Sequence, residues 1–127
     1  MADELAGKKI LLVDDDRDIL AAMQVALADL GMDIVTATDG DEAAKQAQSV
    51  QPDVVVLDMM LPKRSGFLVM ENLKKGKKKS DSPRVIMITG NQGSRHKTYA
   101  ESLGVSAYLN KPFRMEKLVE TVKKLLG

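Results

Sequence analysis

The sequence predicts an α/β domain in which a parallel sheet lies between two layers of helices. Three observations point there. Short apolar runs recur at Ile10–Val13, Ile34–Ala37, Val54–Leu57, Val85–Ile88 and Val105–Leu109. The first, third and fourth are rich in Val and Ile with no polar residue inside, the pattern of strands covered on both faces. Segments with helical spacing separate the runs. A βαβαβαβαβα alternation joined by right-handed crossovers gives a parallel sheet flanked by helices.

The elements follow in order. Strand one, Ile10–Val13, leads into Asp14-Asp15-Asp16 and a helix with apolar positions Ile19, Met23, Ala26, Leu27 and Leu30, stopped by Gly31. Ile34–Ala37 is a looser second strand. Asp39, with Glu42 three residues on, gives a capping-box-like start to a weakly apolar helix carrying Ala43, Ala44 and Ala47; Pro52 lies beyond its end. Strand three, Val54–Leu57, runs into Asp58. Ser65 is placed to cap a third helix bearing Phe67, Leu68, Met70 and Leu73. Lys74–Ser80 (KKGKKKS) reads as a solvated loop. Strand four ends in Thr89-Gly90, and a poorly patterned helix between Gln92 and Leu103 stops at Gly104. The weakest strand carries Tyr108 and runs into Asn110-Lys111-Pro112. Met115, Leu118, Val119, Val122, Leu125 and Leu126 form the stripe of the last helix.

Composition narrows the chemistry. The 127 residues read as one domain, 1–127, whose 44% hydrophobic content supports a core without disulfides or a structural metal. The absence of cysteine excludes thiolate metal sites and cysteine nucleophiles. His96 is the one histidine, a surface residue by expectation, and it has no second histidine to share a zinc ion. Nineteen basic against eighteen acidic side chains leave a net charge of +1, which gives no whole-chain attraction to nucleic acid or anionic membrane. The lysines at 74, 75, 77, 78 and 79 lack interleaved aromatics, so direct nucleic-acid binding is not expected. No apolar stretch approaches the ~20 residues of a membrane span, and MADELAGKK lacks the apolar core of a secretory signal. A soluble cytoplasmic domain is the expectation.

Position is the most informative feature. In an open parallel sheet, chemistry collects at the carboxyl ends of the strands. Asp14-Asp15-Asp16, Asp58, Thr89 and Lys111 all follow strands. Each alone has a plain explanation as a cap, a turn former, a strand residue or a solvated lysine. Four separate plain causes do not place all of them at one sheet edge. Clustered carboxylates raise one another's proton affinity unless a cation intervenes. An all-oxygen pocket suits a hard divalent ion such as Mg²⁺. A metal, a lysine, a hydroxyl and a carboxylate nucleophile are the parts that phosphoryl transfer to aspartate needs.

Four segments carry a family resemblance: ILLVDDD (Ile10–Asp16), VVVLDMMLP (Val54–Pro62) with Gly66, VIMITG (Val85–Gly90) and AYLNKPF (Ala107–Phe113). In this order and spacing, over essentially the whole chain, they resemble the receiver domain of two-component response regulators, the CheY-like family. The resemblance implies a flavodoxin-like, doubly wound five-stranded sheet of order 2-1-3-4-5. It implies Asp58 as phosphoacceptor and Asp14, Asp15, Asp58 and the Met60 backbone carbonyl as Mg²⁺ ligands. Thr89 and Lys111 become the phosphoryl contacts, Thr89 and Tyr108 the switch pair, and Lys111–Pro112 a cis peptide.

The implied function is a phosphorylation-operated switch, not a multiple-turnover enzyme. A sensor histidine kinase or histidine phosphotransfer protein donates the phosphoryl group. The surface of strands four and five and helix four then changes toward a downstream partner, an attached output domain or a phosphorylation-dependent dimer. Met60 and Asn91 occupy positions that tune hydrolysis of the acyl phosphate, and a bulky apolar Met60 implies a long-lived phospho-state. Lys63 and Arg64 read as solvated charge. The main alternative is a haloacid-dehalogenase-type phosphatase, which also places Asp-x-Asp after strand one. That family continues with Thr or Val where this chain has Arg17, and it expects a late acidic pair that is missing here. A flavodoxin-type cofactor binder would need a phosphate-cradling loop where this chain carries three acids.

Overall fold

The computed structural model of the chain describes residues 4–78, 81–90 and 94–127, the last stretch without the side chains of 94–96. Five strands alternate with five helices: β1 (Lys9–Val13), α1 (Arg17–Leu27), β2 (Asp33–Ala37), α2 (Gly40–Val50), β3 (Val54–Asp58), α3 (Gly66–Lys74), β4 (Arg84–Thr89), α4 (Ser94–Ser102), β5 (Ala107–Asn110) and α5 (Met115–Leu126). The strands form one parallel sheet in the order β2-β1-β3-β4-β5, the order the family resemblance implies. Every residue of β3 is buried, which is why its run shows no alternation.

Side-chain alternation divides the core in two. Ile10, Leu12, Val54, Val56, Ile86 and Ile88 face α1 and α5, meeting Leu20, Met23, Leu27, Leu118 and Val122. Leu11, Val13, Val55, Leu57, Val85 and Met87 face the other layer, meeting Ala43, Ala47, Val69, Met70 and Ala100. The register pairs Val13 with Leu57, Asp58 with Ile88 and Thr89 with Asn110. The ends of the four central and edge strands β1, β3, β4 and β5 are therefore level.

Several helix faces differ from the sequence reading. In α1 Leu20 is buried while Ile19 is half-buried against the same core; the helix is capped by Asp16 and closes through a 3₁₀ turn at Ala28–Leu30 before Gly31. In α3 Val69 and Met70 are buried while Leu68 is 53% exposed. Val105 is buried ahead of β5, which begins at Ala107.

The lysine patch is the larger correction. Lys74 is not solvated: it closes α3, is buried, and donates from Nζ to the carbonyls of Asp81 (2.6 Å) and Pro83 (3.3 Å). Lys77 Nζ reaches the Ser82 carbonyl at 3.2 Å. Burial lowers the Lys74 pKa from its ordinary value; Asp81 opposes this, while Lys77 and Arg84 add to it. The sequence reading missed this because the carbonyls lie across a chain reversal. Lys79 and Ser80 lie outside the described residues. Lys74→Ala is expected to cost about 1–3 kcal/mol by leaving these carbonyls without their donor. Urea unfolding of this variant against the exposed neighbour Lys75→Ala, expected within about 0.5 kcal/mol of the parent, checks it.

Candidate functional site

The level strand ends bring the singled-out residues to one notch. Asp14 follows β1 and is fully buried; its Oδ1 accepts from the Asp16 N–H at 2.9 Å. Asp15 is exposed beside it. Asp16 is the N-cap of α1, accepting from the N–H groups of Asp18 (2.9 Å) and Ile19 (3.3 Å). One acid of the three therefore caps the helix and two remain for the notch. Asp58, the last residue of β3, is buried, and its Oδ1 accepts from the Met60 N–H at 3.1 Å.

Lys111 joins these acids from the far side. Its Nζ lies 2.9 Å from Asp14 Oδ2 and 3.3 Å from Asp58 Oδ2. The lysine is aimed by its backbone, since the Lys111 N–H donates to the Thr89 carbonyl at 2.7 Å and ties the end of β5 to β4. The Lys111–Pro112 peptide is cis. Thr89 is buried at the end of β4, and the Tyr108 hydroxyl is also buried. Burial raises the Tyr108 pKa, with adjacent Thr89 pulling the other way.

The electrostatics are strained in a definite sense. Burial first, then repulsion from Asp14, holds the Asp58 carboxyl above the ordinary value; the Met60 N–H and Lys111 only partly offset this. Burial works against the Lys111 charge, but the Asp14 and Asp58 carboxylates outweigh it and keep the ammonium above its ordinary pKa. Carboxylate oxygens of Asp14, Asp15 and Asp58 lie within 4.8 Å of one another. Hard oxygen donors at this spacing, two buried and one open to solvent, fit a small divalent cation that keeps water ligands. Among the described residues this is the one group of three or more acids, histidines or cysteines so placed.

The loop after β3 is shaped by close backbone approach. The Gly66 N–H donates to the Met59 carbonyl at 3.0 Å, and a Cβ on Gly66 would collide with the Asp58 carbonyl. The Met60 side chain is 68% exposed, so the residue meets the notch through its backbone. Lys63 and Arg64 are not simply solvated: Lys63 Nζ is 3.6 Å from Asp39 Oδ2, and Arg64 Nε is 3.3 Å from Asp41 Oδ1. The sequence reading took Asp39-Gly40 only as a helix start. That role holds, with Asp39 capping the Glu42 N–H at 2.8 Å, but the contacts across to the loop were missed. Asn91 and the His96 side chain lie outside the described residues.

Residues 10–123 match the family described as response regulator receiver domain. The chain is 38% identical over 120 residues to the alkaline phosphatase synthesis transcriptional regulatory protein PhoP of Bacillus subtilis, covering 94% of this chain and 49% of that protein. It is 36% identical over 118 residues to the DNA-binding dual master transcriptional regulator RpaA of Synechocystis, covering 93% and 48%. The chain thus spans about half the length of the curated relatives it matches. Among solved structures, the receiver domain of Francisella response regulator 1452 superposes with a TM-score of 0.85 at 28% identity, covering 94% of this chain and 97% of that one. Chemotaxis response regulator CheY4 of Vibrio cholerae gives 0.83 at 29% identity, covering 94% and 98%.

The raised Asp58 pKa has a stability consequence. A carboxyl that binds its proton more tightly in the folded state favours folding in acid, and that contribution is lost as pH rises through the folded pKa. Above the ordinary carboxyl range Asp58 therefore works against the fold. Asp58→Asn is expected to raise Tm by ~3 °C at pH 7 without divalent ions, and the gain should shrink as pH falls into the carboxyl range. Thermal melts of both proteins from pH 7 down to about pH 4 check the sign.

Proposed function

The chain belongs to the response regulator receiver domain family, and on that premise we propose that residues 1–127 form a single phosphorylation-operated switch with Asp58 as its phosphoacceptor. The observation that carries this reading is Lys111 Nζ standing within 3.3 Å of both Asp14 and Asp58, with Asp15 beside them. Asp14, Asp15, Asp58 and the Met60 carbonyl would hold Mg²⁺, which when bound neutralises charge on the phosphoryl oxygens.

An Asp58 oxygen attacks the phosphorus of a partner's phosphohistidine. The new bond is carboxyl O–P, the bond broken is histidine N–P, and the freed imidazole takes up a proton from solvent. The Met60 N–H holds one carboxylate oxygen and so orients the other. Lys111, already paired with Asp58, follows the charge onto the phosphoryl oxygens. The Thr89 hydroxyl supplies a further donor.

The product adds about −1.5 to −2 charge at the notch. Thr89 moves toward it, and Tyr108, whose hydroxyl is already sheltered, occupies the inward position. Two arrangements of the β4–α4–β5 surface are thereby reweighted. The donor is a sensor histidine kinase or a histidine phosphotransfer protein. The relatives are transcriptional regulators by name, which favours an output that regulates transcription through a further domain or through dimers. No described helix is long and apolar enough to cross a membrane.

Incubation with acetyl phosphate and Mg²⁺, followed by intact mass spectrometry, is expected to show one labile phosphate on the native chain. Asp58→Ala should carry none, and a chelator should suppress the label on the native chain; a persistent label on Asp58→Ala overturns the assignment. Met60→Glu is expected to speed loss of the phosphate by ~tenfold, because a polar group there orients the attacking water. An unchanged decay rate contradicts the long-lived phospho-state.

A further inference from the structure

The loop from Met59 to Ser65 connects the proposed phosphoacceptor to α3, and its tip is tied to a different helix. The Pro62 carbonyl accepts from two N–H groups, Arg64 at 2.7 Å and Gly40 at 3.1 Å. The first bond spans two residues and folds the chain into a three-residue turn around Lys63, whose φ is +68°. That left-handed turn is sparse for lysine and persists where surrounding contacts fix it. The contacts come from the start of α2. Asp39 pairs with Lys63 and Asp41 with Arg64. Buried Gly40 lies so close to Arg64 that a Cβ there would collide with the Arg64 carbonyl and Cβ. The exposed ion pairs are weak by themselves. The backbone contact is the part that cannot shift cheaply.

We infer that the first residues of α2 form a latch that fixes the loop after Asp58, making Asp39, Gly40 and Asp41 positioning residues for the metal and phosphoryl notch. The route is short. The loop is closed at its base by the Gly66 N–H on the Met59 carbonyl and at its tip by Gly40 on Pro62. Met60 lies between, with its N–H on Asp58 Oδ1. A tip that swings away from α2 lets Met60 drift, loosening both the Asp58 carboxylate and the backbone carbonyl proposed as a ligand. Supporting groups of this kind act on affinity without touching the ion. The inference rests on the proposed reading of Asp58 and Met60.

The experiment is a calorimetric Mg²⁺ titration of the unphosphorylated chain, with acetyl phosphate labelling in parallel. Gly40→Ala is expected to weaken Mg²⁺ binding by about tenfold and to slow labelling at subsaturating Mg²⁺. Ala47→Gly, which loosens the same helix away from the loop, should leave Mg²⁺ affinity unchanged. Because Gly40→Ala can disturb folding, the double variant Lys63→Ala/Arg64→Ala serves as the second arm, expected to bind about threefold more weakly. Removing two cations near an acidic notch would, by charge alone, tighten Mg²⁺ binding, so the sign separates a latch from a field effect. Unchanged or tighter binding in either folded variant overturns the latch. Failure of the native chain to bind Mg²⁺ or take label at Asp58 overturns instead the reading on which the latch rests.

Discussion

The arrangement of Lys111 against Asp14 and Asp58 is the constraint on which the notch depends. Two buried carboxylates whose oxygens lie within 4.8 Å repel strongly: at ~4 Å and an effective dielectric constant of ~20, a pair of unit charges interacts by about 4 kcal/mol. That is a large share of the ~5–15 kcal/mol that holds a domain of this size together. A lysine within 3.3 Å of both acids makes the cluster tolerable. It does not neutralise it, because Asp58 stays above its ordinary pKa and Asp15 adds a third acid at the rim. The site is left short of positive charge. A divalent ion would supply that deficit, and under the proposed function a phosphoryl group on Asp58 would meet both the ion and Lys111.

The fold delivers this arrangement through backbone register. The carboxyl ends of β1, β3, β4 and β5 are level, so residues far apart in the chain reach one edge without long loops. Lys111 is aimed by a hydrogen bond from its own N–H to Thr89, and Asp58 by one from Met60. Both donors are main-chain N–H groups, one directly after β5 and the other two residues beyond the end of β3. The same strand ends carry the buried Thr89 and the sheltered Tyr108 hydroxyl. A change of charge at Asp58 therefore falls next to the edge of the sheet formed by β4 and β5.

Much of this was legible in the sequence, for a physical reason. Strands buried on both faces must be unbroken apolar runs, so Val54–Leu57 and Val85–Ile88 announce themselves, and a polar residue directly after such a run sits at a strand end. That locates Asp14, Asp58 and Thr89, whereas Lys111 follows the weakest run, after Asn110, and was placed with less support from the run itself. The caps Asp39 and Ser65 were readable because capping is local. What was missed depends on contacts made across the chain. Lys74 is read from its neighbours as one of five solvated lysines, yet its ammonium binds carbonyls seven and nine residues away. Lys63 and Arg64 look idle until α2 is placed beside them. Leu68 and Val69 exchange roles because a helical face shifts with a single residue of phase.

The most direct test of the charge-deficit account follows backbone amide resonances of the ¹⁵N-labelled chain during Mg²⁺ titration without phosphodonor. The account predicts saturable shifts concentrated at Asp14–Asp16, Asp58–Met60 and Lys111, and their loss in Asp58→Asn. Shifts scattered over the exposed acids, or a pattern that survives Asp58→Asn unchanged, would contradict it.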